Sequence, residues 1–242
     1  METTFVVATE ERISDRNAVK HLLVLFSGGA GAIGPPAAGV MNEQSEKFSL
    51  RGFMAEQLGV VVSVGLPADK PEGLPLEWRA SAEHVKDAGA VVDVLVKQYP
   101  EARITLLGFS NGARSASHIG AALRGMKDGV GAKLQGVILM SASIDAFRED
   151  WISELDARKD RPKVPLLVVH HKRDSCLRFH DIEEAAKWHH FITVDDVRQP
   201  RVNTYRRDCS RGSAHLFSGR EEKVYQAVVD WIKTGRVAEA IE

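Results

Sequence analysis

The pentapeptide Gly108-Phe109-Ser110-Asn111-Gly112 sets a serine between two glycines, directly after the apolar run 104–107 and directly before a stretch rich in Ala and Ser. A hydroxyl that is to attack a carbonyl must stand clear of the backbone. A sharp strand-to-helix turn achieves this when the flanking residues carry no side chains to collide. The helix that opens there adds oriented N–H groups and a positive dipole end where an oxyanion would form. The serine also needs a base to take its proton, and the base needs an acceptor that fixes its tautomer. On such a turn the acid and the histidine follow the serine in that order. Asp174 fits, in HHKRD just after the apolar run 164–169, and so does His215, in the turn-rich GSAHLFSG ahead of the last helical pattern. Asp145, in SASID after the preceding apolar run, is the rival acid. His170 and His171 lie close to a strand end, His180, His189 and His190 surround a helical pattern, and His84 and His118 precede the acid or fall within helices.

An oxyanion needs a second donor besides the amide of Asn111. The run Ser27-Gly28-Gly29-Ala30-Gly31 follows an early apolar strand and offers the unshielded amides of Gly28 and Gly29. The same glycines could be read as a dinucleotide loop. That reading is the weaker one, because Pro35 and Pro36 follow where a helix should open and no acid follows the next strand.

The elements that must position these residues alternate short β-rich runs with longer helical patterns, which is the signature of an α/β chain with a mostly parallel sheet covered on both faces. Strands are expected over 5–8, 22–26, 60–64, 104–107, 136–140, 164–169 and 191–194. Helices are expected over 45–58, closed by Gly59, and over 76–99, 110–126 and 221–234. The long pattern over 76–99 repeats Val85, Ala88, Val92, Leu95 and Val96 at helical spacing and reads as core. The stretch between the strands ending near 140 and beginning near 164 is too short for a large inserted lid domain. The loops 31–38 and 67–75 follow strands and are expected to rim the site.

The chain has 242 residues, a length suited to a single α/β domain over 1–242. Its 32 Lys and Arg nearly balance 33 Asp and Glu, which gives no electrostatic reason to expect nucleic acid. The apolar runs are strand-sized, so no membrane span is expected. Residues 1–11 carry acidic side chains and no basic region ahead of an apolar core, unlike a secretory signal. A cytoplasmic protein is expected if Met1 is the native start, and a periplasmic or secreted one if a signal was removed. Arg198, Arg201, Arg206, Arg207 and Arg211 could form a basic rim for an anionic substrate or a solvated run partly cancelled by Asp195, Asp196 and Asp208. The histidines and cysteines lack zinc-site spacing, so no metal or other cofactor is expected. Two cysteines, Cys176 and Cys209, leave a bridge and two free thiols equally open.

With these residues in view, the sequence resembles the α/β-hydrolase superfamily over about 22–232, through FSGG, GFSNG, VPLLVVHHKRDSC and SAHLFSGREEKVYQAVVDWI. Ser27 stands where many relatives carry the histidine of an HG motif. More narrowly, the pattern is similar to small, poorly characterised bacterial hydrolases with one cysteine two residues beyond the acid and another shortly before the histidine. Cys176 and Cys209 match, and the resemblance implies that they form a disulfide. It also implies a serine hydrolase acting on a small carboxylic ester or related acyl compound, with Ser110, His215 and Asp174 as its triad, Gly28, Gly29 and Asn111 as its oxyanion donors and no cofactor. Acyl transfer by the same residues, or a binding protein that has lost turnover, are the alternatives.

Overall fold

The structure, a computed structural model, describes residues 3–9, 15–31, 50–126, 129–148, 164–196, 209 and 212–242. Strands β1 (Thr3–Thr9), β2 (His21–Phe26), β3 (Gly59–Pro67), β4 (Arg103–Phe109), β5 (Leu134–Met140), β6 (Leu166–His171), β7 (His190–Val194) and β8 (Ala240–Ile241) form one sheet in the order β1-β3-β2-β4-β5-β6-β7-β8. β1 runs antiparallel to β3, and every other neighbouring pair is parallel. The helices are α1 (Leu50–Leu58), α2 (Ala82–Gln98), α3 (Gly112–Arg124), α4 (Val130–Lys133), α5 (Phe179–Ala185) and α6 (Glu221–Thr234).

The parallel strands are apolar almost throughout because both their faces are covered, and period-two alternation deals their side chains to two cores. Leu22, Val24, Ile104, Leu106, Val137 and Val168 face α2 and α3. Leu23, Leu25, Leu107, Ile138, Leu167 and Val169 face α1 and α6. β4 lies between β2 and β5, so the turn after it opens at the centre of the sheet. No helix among the described residues is long and apolar enough to cross a membrane.

The structure departs from the expected elements at several points. The helix expected over 76–99 is broken: Trp78–Ala80 forms a separate 3-10 turn, and α2 starts only after Ser81. Ser81 is an N-cap whose hydroxyl accepts from the His84 amide, a local bond that resets the chain direction and that apolar periodicity does not register. The strand expected over 164–169 is shifted, so that His170 and His171 are its buried last residues. α3 begins at Gly112 and leaves Ser110 outside it. The short β8 follows α6 and pairs with β7, which is therefore not the last strand. Residues 45–49 and 32–38, and Arg198, Arg201, Arg206, Arg207, Asp208 and Arg211, lie outside the described residues.

Candidate active site

Ser110 sits at the turn between β4 and α3 with φ of 52°, a left-handed conformation that a side chain tolerates poorly. Its amide donates to Met140 O at 2.9 Å and its carbonyl accepts from Ala113 N at 3.0 Å, which pins the turn from both sides. The flanking glycines are required by space. A Cβ on Gly112 would lie 2.0 Å from Phe26 O, and one on Gly108 would lie 2.3 Å from Gly112 O. The side chain of Ser110 is only half-buried and stays reachable from outside.

His215 lies on the 3-10 turn Ala214–Leu216, and Asp174 lies on the loop after β6. His215 Nδ1 is 2.8 Å from Asp174 Oδ2 and its Nε2 is 3.0 Å from Ser110 Oγ. Because an ionised carboxylate only accepts, the proton belongs on Nδ1, leaving the Nε2 lone pair to accept from the serine hydroxyl. Asp174 Oδ1 accepts from the amides of Cys176 at 2.8 Å and Leu177 at 3.0 Å, so the carboxyl is held in one orientation by its own loop. Asp174 and His215 are each 2% exposed, which shields their contact from water. The structure thus brings Ser110, His215 and Asp174 into one hydrogen-bonded chain. Asp145 stays out of it: it lies on the 3-10 turn Ile144–Phe147, pairs with Arg148 at 2.8 Å, and accepts from Arg114 through its carbonyl.

Ser27–Gly31 runs beside the serine. A Cβ on Gly28 would lie 2.9 Å from Ser110 Cβ, so only glycine lets this backbone pass so close. Gly31 N donates to Gly28 O at 2.9 Å, and Asn111 Nδ2 donates to Gly29 O at 3.3 Å. Asn111 itself is the N-cap of α3, where helix amides lack intrahelical acceptors.

Further residues surround the chain. Ser141, buried and with φ of 44°, donates through Oγ to His215 O at 2.7 Å. Phe217, also with positive φ, and Phe109 stack edge-on, and Phe109 contacts the His215 ring at 5.6 Å. Ser110, Ser141 and Phe217 are the non-glycine residues with positive φ among the described residues, and all three are at this site. His170, fully buried, places Nε2 3.2 Å from Leu177 O and 3.4 Å from Asp174 Oδ2. Burial pushes its pKa below the ordinary value and outweighs the nearby Asp174 carboxylate.

Cys176 and Cys209 form a disulfide with Cα atoms 5.0 Å apart. Cys176 Sγ lies within 4.8 Å of the Asp174 and His215 donor atoms, the spacing of a metal-ligand group, but a sulfur in a disulfide offers no thiolate. A cleft lined by Glu222, Gln226, Asp230, Arg236 and Ile241 lies between α6 and the C-terminal strand and holds none of these residues.

Neither a family model nor a curated protein matches the sequence. Solved structures do match the fold. A lidless α/β serine hydrolase from Xanthomonas campestris is 16% identical, with a TM-score of 0.58 over 97% of this chain and 89% of that one. Est1E from Butyrivibrio proteoclasticus, solved with ferulic acid bound, is 14% identical, with a TM-score of 0.60 over 96% of this chain and 94% of that one. An esterase from Pyrococcus furiosus is 17% identical, with a TM-score of 0.53 over 96% of this chain and 92% of that one. With its central parallel strands, its strained serine turn after β4 and no lid over the sheet among the described residues, the chain has the α/β-hydrolase fold.

Proposed function

We propose that the protein is a serine hydrolase that cleaves small carboxylic esters or related acyl bonds through an acyl-enzyme. One observation carries the reading: His215 bridges the Ser110 hydroxyl and the Asp174 carboxylate, at 3.0 Å and 2.8 Å, on a turn that leaves the serine reachable. Ser110 Oγ attacks the carbonyl as Nε2 of His215 takes its proton. The tetrahedral oxyanion faces the amides of Asn111 and of Gly28 and Gly29, and Asp174 stabilises the imidazolium without accepting its proton. His215 then protonates the leaving alcohol. Water, deprotonated by the same nitrogen, attacks the acyl carbonyl and releases the acid and Ser110.

The names of the solved neighbours support an ester as substrate, and the Cys176–Cys209 bridge favours an oxidising compartment. A panel of p-nitrophenyl esters of graded acyl length tests the reading. The wild type should turn over the short members, and Ser110→Ala, folded as judged by circular dichroism, should lose on the order of 10⁶ in kcat because the triad works as a unit. Activity retained in the pure variant would remove Ser110 from the reaction.

A further inference from the structure

Arg79 is 1% exposed, among the most deeply buried large side chains. A buried cation is ordinarily paired with an acid. Among the described residues no carboxylate meets this one. Its NH1 donates to Ser27 O at 3.3 Å and to Ser115 Oγ at 3.1 Å, and its NH2 donates to Gly29 O at 3.0 Å. Its Nε is buried without a partner, and loss of solvation lowers the guanidinium pKa from its ordinary value to about 10, still cationic at neutral pH. The side chain therefore keeps a charge that no described carboxylate neutralises, and its donors go to two carbonyls of the loop beside Ser110 and to one hydroxyl of the helix that starts there.

We infer that Arg79 is a positioning residue for the oxyanion site, a buried brace that fixes the Ser27–Gly31 loop against α3 and turns its amides toward the reacting carbonyl. The inference rests on the reading of Ser110 as nucleophile and of the glycine amides as donors. A trans peptide group points its N–H opposite to its C=O, and no described peptide bond is cis. With the carbonyls of Ser27 and Gly29 drawn onto the guanidinium, the N–H groups of Gly28 and Ala30 must face away from it. Gly28 is the residue packed against Ser110. The peptide between them is fixed by the turn from Gly31 N to Gly28 O. The cation also sits at the carbonyl end of these peptides, where it polarises the N–H end toward a developing negative charge. Gly31 has φ of +87°, and a Cβ there would lie 2.9 Å from Arg79 NH2, so glycine is what admits the brace. Ser115, five residues beyond Ser110, ties the same guanidinium to the nucleophile's helix.

The experiment compares wild type, Arg79→Lys and Arg79→Met by kcat and KM on p-nitrophenyl acetate and by amide hydrogen exchange of Gly28, Gly29 and Ala30. Removing an oxyanion donor outright costs about 10²–10³ in kcat, so loss of its brace should cost about 10- to 100-fold in Arg79→Met with KM within about threefold. Arg79→Lys keeps the charge without the planar fork and should fall between the two. Exchange at the three amides should rise in the same order, while exchange in β4 and β5 stays unchanged. A folded Arg79→Met with wild-type kcat, or a loss carried by KM alone, would overturn the inference. Arg79→Lys applies the same criteria if the methionine variant does not fold. The exchange readout is independent of turnover. If the wild type cleaves no ester, the reading of Ser110 fails, whereas unchanged exchange at Gly28–Ala30 in a folded variant overturns the role of Arg79.

Discussion

At the scale of single residues, the site turns on which carboxylate holds His215. Asp174 is locked by two amides of its own loop and lies 2.8 Å from Nδ1, whereas Asp145 is engaged by Arg148 on a neighbouring turn. Asp174→Asn should therefore cost on the order of 10⁴ in kcat, because an amide can present its own hydrogen to the imidazole and favour the wrong tautomer. Asp145→Asn should change kcat by less than about threefold, as expected for a residue outside the hydrogen-bonded chain. Steady-state kinetics of the two purified variants decides it, and the reverse ranking would move the acid to the β5 loop. The grouping of Ser110, Asp174 and His215 was legible in the sequence because residue type, neighbours and chain order all point the same way. Arg79 and Ser141 were not. A buried arginine among surface-like charges and a serine at a strand end have no local pattern, and each matters mainly through backbone atoms distant in sequence.

At the scale of elements, the acid sits on a loop outside helix and strand, and the Cys176–Cys209 bridge ties it down. In the chain-entropy model, closing a loop with a sequence separation of 33 stabilises by about 3 to 4 kcal/mol. Cys176 also donates the amide that orients Asp174 Oδ1. Reduction should lower the melting temperature by several degrees and lower kcat on a short ester together with it, although neither sulfur reacts with substrate. Thermal unfolding and kinetics with and without dithiothreitol check this, and an unchanged kcat in fully reduced, folded protein would show that the bridge serves stability alone. Elements with strong periodicity were legible: α6 lies where its pattern predicted, with Gly235 as its left-handed stop. The break before α2 was hidden, because one capping hydroxyl at Ser81 outweighs a continuous apolar stripe.

At the scale of the whole molecule, the doubly covered sheet buries histidines that it keeps neutral. Burial, and then the charge of Arg79, lowers the pKa of His84 from 6.5 to about 3, while burial also lowers His170 and His171. In each case the unfolded chain binds the proton first, so stability is fully present above about pH 6.5 and is lost as the pH falls toward the folded value. Each such group contributes a slope of up to about 1.4 kcal/mol per pH unit. The melting temperature should drop steadily from pH 7 to pH 5, and His84→Phe, which keeps a ring against Phe26 and Trp78, should flatten that drop. An equal slope in the variant would count against it. The α/β architecture was legible because buried parallel strands read as continuous apolar runs. The short β8 was not, since two residues carry no period.

The central claim is that Ser110 is the nucleophile, raised in reactivity by His215. Its most direct test is stoichiometric labelling with a fluorophosphonate, read by intact mass and peptide mapping. The wild type should gain one adduct on the peptide carrying Gly108–Gly112, Ser110→Ala should gain none, and His215→Ala should label at least about 10²-fold more slowly, as expected when the base is lost. An adduct on another residue, or an unlabelled wild type that is fully folded, would contradict the account.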